Sequence, residues 1–411
     1  MSAPGRPKGE YRNAQREAVA SAPREFDVVI AGAGLPGLAL AAALAGKGLA
    51  VALSDRHAIA ASEVPSDGFD TRIYAVSPGS AAMLDALGAW AKLPAERITA
   101  VETMRVLGDA GGALEFSAYD LHQRALAWIV EERALRAALV ARVHASATTL
   151  VAPAAFAQLA FDVEGATLTL GDGDALRARL VVGADGLNSW IRNAAGFTAL
   201  PRPYAQVAVV ANFACEHEHH GRASQWFLAD GGVLAWLPLP GRHISIVWSA
   251  PTALAHELAG LPADALAQRV AEAGAHALGA LTLQDGPATF PLSFLRLPSV
   301  VAHRLALVGD AAHGVHPLAG QGVNLGFGDV AVLARILAER GPVDDAGAPI
   351  LLERYARRRA EPVLAMQTVT DVLARAFSLD QRWLAGLRNH AMATIDRFSL
   401  IKRALAQPAL R

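Results

Sequence analysis

One cysteine, Cys215, occurs in 411 residues. A disulfide framework within the chain is therefore excluded, as is any CxxC metal or redox motif. A reducing, cytoplasmic setting suits such a chain. An excess of one charge is also missing. The 37 basic and 38 acidic residues leave a net charge of −1, so electrostatics give no case for a nucleic-acid partner. Lysine is scarce beside arginine and alanine is abundant, which reads as genome composition. Residues 28–46, VVIAGAGLPGLALAAALAG, carry no charge and approach the length of a membrane span. Gly32, Gly34, Pro36 and Gly37 interrupt that run, which suits a strand, a tight turn and a buried helix better than a span. The first two dozen residues are polar, lack the apolar centre of a signal peptide and are expected to form a disordered tail over 1–24.

What is present is apolar and patterned. Hydrophobic residues make up 53% of the chain, enough for a buried core in about two domains. FDVVIA (26–31) reads as a buried parallel strand, 36–46 as a small-residue helix, and LAVALS (49–54) as a second strand ending at Asp55. The pattern predicts a helix over 128–144 and strands over 149–161, 165–170 and 178–183. Residues 203–250 alternate and are rich in Val, Phe and Trp between Gly-rich turns, as in an antiparallel sheet. Helix is expected near 252–280, a buried strand over 304–309, and mostly helix from 325 onward, interrupted around Gly341–Pro349. The fold class is α/β: a Rossmann-like domain split in sequence around an antiparallel-sheet insertion, with helices at the C-terminus.

Gly32, Gly34 and Gly37 form GxGxxG between the first strand and helix. The first glycine permits the turn, the second lets backbone approach a pyrophosphate, and the third lets helix and strand pack closely. The helix N-terminus offers free N–H groups to phosphate. Asp55 follows at the distance where an acid binds ribose hydroxyls. Two further strand ends carry acids: Asp185 in VVGADG (181–186), and Gly309–Asp310 in LVGD (307–310). An aspartate at the latter can hold the ribityl chain of a flavin.

The ordered set GxGxxG, ADG, GDAAH resembles the group A flavoprotein monooxygenases, whose fold is that of p-hydroxybenzoate hydroxylase. His316–Gly326, HPLAGQGVNLG, ending at Asp329, resembles the signature of the ubiquinone-biosynthesis hydroxylases. The resemblance runs from about 25 to 405 and includes FDTRIYAVS (69–77), LAWIVEERAL (126–135), WLPLP (236–240) and FPLSFLRL (290–297). It implies an FAD-binding domain in two parts, 25–196 and 297–345, around a substrate domain at 197–296, with a helical region at 346–411. It also implies FAD, an external NAD(P)H donor and O2, with oxygen passing from a flavin C4a-hydroperoxide to a polyprenylated phenol. Gly32, Gly34, Gly37 and Asp55 would hold the ADP portion, with Arg72 and Asp185 close to the cofactor. Gly309 and Asp310 would bind the flavin linker, and Pro317, Gly320, Gln321, Gly322 and Asn324 would border the isoalloxazine. Glu132 departs from the pattern, because relatives carry a neutral or basic polar residue there. A carboxylate beside pyrophosphate is unfavourable, so Glu132 must point away or Arg133 must compensate.

No catalytic acid, base or nucleophile is expected, since the cofactor carries the chemistry. Candidate walls for the substrate ring are Gln225, Phe227, Trp236, Leu237, Pro238 and His316. The family implies a quinone-biosynthesis protein complex and peripheral contact with the inner membrane. Phe377, Trp383, Leu384, Leu387, Phe398, Leu400 and Ile401, among Arg382, Arg388, Arg397, Lys402 and Arg403, are candidates for that contact. CEHEHHGR (215–222) invites a metal reading, with alternation placing Cys215, His217 and His219 on one strand face. Polar His-containing loops occur there in relatives without metal, and no metal is expected. His313 and His316 are expected to make buried hydrogen bonds. Two rival readings are a reductase or hydroxylase of another aromatic or isoprenoid substrate, and a flavoprotein acting mainly as a scaffold.

Overall fold

The computed structural model describes residues 22–60, 67–316, 320–341 and 343–378, with 389, 390, 392, 394–396, 402 and 410. Five parallel strands form its centre. Their spatial order is Leu305–Leu307, Ala175–Gly183, Arg24–Ala31, Val51–Ser54 and Thr149–Val151. Val28, Val29, Ile30 and Ala31 are fully buried because the sheet is covered on both faces. One face carries the fingerprint helix (Leu35–Leu44), the helix Glu132–His144, the signature helix (Gly322–Ala338) and the start of the long helix Pro349–Ser378. The other face is covered by the hairpin of strands Phe156–Phe161 and Ala166–Leu170.

A second sheet of eight strands lies beyond the first. Its centre is antiparallel, running Leu281–Arg296, Arg202–Cys215, His243–Pro251, Val233–Leu239 and Arg222–Phe227. One face packs on the helices Thr252–Ala259 and Ala263–Ala273 through Trp226, Trp236, Ile246 and Trp248. The opposite face turns toward the cofactor domain, where Leu237 and Leu239 meet Ala75 and Ile73.

Three departures from the sequence pattern have local causes. The helix expected from 128 starts at Glu132, because Ala127–Glu131 is a strand. That strand is paired on both sides, with Ile73–Val76 and Thr99–Val101; its bulky AWIV stretch suits a sheet. The substrate sheet also recruits Thr103–Leu107 and Ala113–Ser117, well before residue 197, through a parallel pairing with Arg222–Phe227. Finally, the strand containing Cys215 ends there, so His217 and His219 do not continue its alternation. His219 accepts from the Gly221 N–H and faces the Leu239 carbonyl at 2.8 Å. Its ring thus closes a turn.

The two sheets are fastened by buried polar contacts. Asn212 of the substrate sheet donates to the Asp70 carbonyl at 3.0 Å. The Phe69 N–H donates to Asp285 at 3.0 Å. Beneath them Arg97 makes a two-pronged ion pair with Glu131, at 2.6 and 2.9 Å, with Glu131 1% exposed. Planar pairing of this kind is geometrically specific.

Candidate functional site

The glycine fingerprint closes one end of a cleft in the cofactor domain. Gly32 has φ +110°, and a Cβ there would stand 2.4 Å from the Ala184 carbonyl oxygen. A Cβ on Gly37 would come 1.9 Å from the Gly32 oxygen. Gly34 differs: no atom lies within 4 Å of where its Cβ would be, so its backbone faces open space. That space is a cavity of about 520 Å³ lined by Ala33, Gly34, Asp55, His57, Arg72, Glu132, Arg133 and Arg136. Asp55 accepts from the Ala33 N–H at 2.6 Å and the His57 N–H at 2.8 Å, which fixes the loop. Arg136 donates to the Ala33 carbonyl from the other side.

Three guanidiniums beside a helix N-terminus and a bare glycine backbone match the chemistry of a pyrophosphate. A dinucleotide cofactor fits these residues. Ala33, His57 and Arg136 carry no motif signal for the cofactor, whereas Arg133 is expected only as a compensator of Glu132. The available signal was spacing: Glu132 and Arg136, four apart on one helix, share a face.

Two more elements converge on the cleft. The loop Gly309–Ala311 brings Asp310 close to Arg72, and the Arg72 guanidinium lies 5.3 Å from the Phe290 ring centroid of the substrate sheet. Water reaches Asp310 through the cleft, yet protein surrounds it on most sides and raises its carboxyl above the usual range, opposed by His313 and Arg72. Gly309, φ +61°, is held by its N–H, which donates to Asp329 at 2.8 Å. Asp329 also bonds His313 Nε2 and Arg359 Nε, both at 2.6 Å. Burial works against the Asp329 charge, but His313, Arg359 and the Gly309 N–H outweigh it and hold its carboxyl below the ordinary value. The third element is the signature helix, whose N-terminus follows Gly320 (φ +63°) and Gln321. A Cβ on Gly320 would stand 3.3 Å from Ala75 Cβ.

Some expected site residues turn elsewhere. Asp185 caps a helix, accepting from the Ser189 hydroxyl and the Trp190 and Ile191 N–H groups; its oxygens serve the protein first. Asn324 ties the signature helix to the strand Ile73–Val76, donating to the Ala75 carbonyl and accepting from the Ser77 N–H, both at 2.9 Å. Trp236 and Pro238 lie on the helix-covered face of the substrate sheet. Trp236 packs 4.8 Å from Trp226 in that core, because strand alternation sends Leu237, not its neighbours, toward the cofactor domain. Gln225 and Phe227 share the Leu237 side, though Phe227 packs against Val106, Val233 and Met392. Pro317 lies outside the described residues. So do the C-terminal candidates except Lys402, which donates to the Glu115 carbonyl, and the Phe377 backbone.

His316 is 1% exposed, its ring 5.0 Å from Tyr204. Gln206 donates to the Gly231 carbonyl, so its oxygen receives the proton of His316 Nε2 at 2.9 Å. The tautomer follows, and among the described residues Nδ1 has no hydrogen-bond partner. Burial pushes the imidazole down to about 4.

Residues 25–370 match the FAD binding domain family. The chain is 37% identical to the ubiquinone hydroxylase UbiL of Rhodospirillum rubrum, over 98% of this chain and 93% of that protein. It is 34% identical to the 3-demethoxyubiquinol 3-hydroxylase of Escherichia coli, over 93% and 98% of the two. Among solved structures, P. aeruginosa PqsL in complex with 2-aminobenzoylacetate superposes with a TM-score of 0.75 at 25% identity, covering 89% of this chain and all of that one.

Proposed function

Because this chain belongs to the FAD binding domain family, among flavoprotein monooxygenases similar to the ubiquinone-biosynthesis hydroxylases, we propose that its substrate is a polyprenylated phenol that it hydroxylates on the ring. The reading is supported above all by one arrangement: Pro36 of the fingerprint helix lies against Gly309 and Gly326, and Arg72, on the wall of the fingerprint cavity, sits near Asp310 and over the Phe290 ring of the substrate sheet.

Bound FAD, reduced by NAD(P)H, supplies electron storage and oxygen activation. The protein supplies placement. Gly34 and Arg72 bind the pyrophosphate, Asp55 the adenosine ribose, and Asp310 the linker. The N-terminal N–H groups of the signature helix favour negative charge at the ring they border. Gly320 and Gly322 keep side chains out of the way. The inward sheet face excludes water and orients the phenol. His316, buried and with its imidazole held down, stays neutral at working pH.

A long prenyl tail requires access to a lipid surface. Leu364, Val369, Val372 and Leu373 share the exposed side of the long helix, between 37% and 57% accessible, and support contact with a bilayer. Among the described residues no helix is long and apolar enough to cross a membrane.

Complementation of strains each lacking one ring-hydroxylation step, with the accumulated quinone intermediates identified by mass, tests the reading. Rescue of one strain is the expected result; rescue of none rejects the quinone substrate. NAD(P)H consumption without oxygen uptake would instead indicate a reductase. If replacing Gly320 with a bulky residue stopped flavin chemistry but left quinone production intact, the protein would be a scaffold.

A further inference from the structure

Glu132 is an acid on the wall of a cavity built for an anion. Asp55, the other acid there, is engaged by two backbone N–H groups. Glu132 makes no hydrogen bond and no ion pair among the described residues, although Arg72, Arg133 and Arg136 line the same space. Those arginines are drawn elsewhere: Arg136 to the Ala33 carbonyl, Arg133 to Asp70 at 3.5 Å, and Arg72 over Phe290. The Glu132 N–H donates to the Arg72 carbonyl, which fixes the backbone at the mouth of the cavity.

We propose that Glu132 couples FAD loading to the uptake of one proton, so that the cofactor is held more tightly in mild acid than in mild alkali. A pyrophosphate brings two negative charges into the cavity, engages the arginines and displaces water. Each change penalises an ionised carboxylate nearby. Once protonated, the carboxyl also gains a donor that it can offer to a cofactor oxygen. The cavity itself leans this way: burial raises the Glu132 carboxyl and Asp70 adds to the rise, against the pull of Arg72, Arg136 and Arg133.

Other charged groups face the same space from each packed element. They are Asp70, Arg72 and Tyr74 before and within the strand Ile73–Val76, Arg133 and Arg136 on the helix of Glu132 itself, Asp55 and His57 beyond the second strand, and Asp310 across the cleft. Burial holds Tyr74 up at about 12, out of the physiological window. His57, the histidine on the cavity wall, is the control.

Holoprotein diluted at pH 6 to 8.5, with released FAD read by its fluorescence, gives the dissociation constant against pH. A one-unit rise in the Glu132 pKa on loading would weaken FAD by about tenfold from the acid side of its titration to the alkaline side. Glu132→Gln should flatten the profile and hold FAD at pH 8 about as tightly as the parent at pH 6, while His57→Gln should leave the slope intact. A slope retained in Glu132→Gln, lost in His57→Gln, or replaced by weaker binding at every pH overturns the proposal. Titration of the parent apoprotein with FAD at pH 7.5, by calorimetry in two buffers of different ionisation enthalpy, needs no variant. Net proton uptake is expected, and none would overturn the proposal.

Discussion

Gly34 and Gly37 stand three positions apart in one motif and obey different constraints. A methyl at Gly37 collides with backbone, and overpacking of this kind costs about 1–3 kcal/mol. A methyl at Gly34 meets nothing within 4 Å. Gly37→Ala should therefore lower the melting temperature of the apoprotein, whereas Gly34→Ala should leave it within ~0.5 kcal/mol and weaken FAD binding. Thermal denaturation and FAD titration of both variants separate the two effects. A second residue-scale expectation concerns acid. An imidazole depressed to about 4 in the fold resists a proton that the unfolded chain accepts near its ordinary value of about 6.5. Its contribution is complete above the unfolded value and declines as pH falls from there toward the folded one, by about 1.4 kcal/mol per unit. Denaturant midpoints measured between pH 7 and 4 should fall less steeply for His316→Phe than for the parent. Asp329 acts lower on the scale: its carboxyl is held down, so its stabilisation is full above the ordinary carboxylate value and is lost as pH falls toward the folded one.

At the scale of elements, the long helix braces the flavin loop from two positions: Arg359 pairs with Asp329, which holds the Gly309 N–H, and Tyr355 donates to the Leu307 carbonyl just before the loop. Arg359→Met leaves a buried carboxylate with one partner fewer, a loss of about 3–5 kcal/mol. Its FAD absorbance maximum should also shift, because Asp310 follows Gly309. An unchanged flavin spectrum in a destabilised variant would confine Arg359 to a packing role. The elements themselves were largely legible: the fingerprint glycines, Asp55, the strand expected over 178–183 (which begins at Ala175) and the alternating 203–250 region all have strong local signals. Three things were hidden. The strand Ala127–Glu131 reads as helix because its apolar run flows without a breaker into ERALRAAL. Strands Thr103–Leu107 and Ala113–Ser117 join a distant sheet, and a pairing partner 119 residues away, as in Thr103 with Arg222, leaves no local trace. Asp185 and Asn324 occupy the right motifs, but motifs do not reveal that a carboxylate or amide spends its hydrogen bonds on backbone.

Across the whole molecule, the cofactor domain and the substrate sheet share buried polar fasteners through Asn212 and Asp285 of the sheet, which bond the backbone of Phe69 and Asp70. Such contacts should make the two halves unfold together. Near-ultraviolet signals from Trp226, Trp236 and Trp248, all in the substrate-sheet core, should melt with FAD release. At FAD concentrations 100 times the dissociation constant both should rise together, reflecting about 2.7 kcal/mol of linkage. A tryptophan transition that ignored FAD would contradict this coupling.

The hairpin of Thr103–Leu107 and Ala113–Ser117 ends the substrate sheet, and residues far along the chain cover it. Asn389 accepts from the Gly112 and Ala110 N–H groups, Asp396 from that of Glu115, and Lys402 donates to the Glu115 carbonyl. An outermost strand with bare backbone groups is a template for another molecule's strand. Asn389, Asp396 and Lys402 occupy backbone groups of this hairpin that would otherwise be open. A chain shortened after residue 378 should still bind FAD in dilute solution, yet form oligomers and then fibrillar aggregates as its concentration rises.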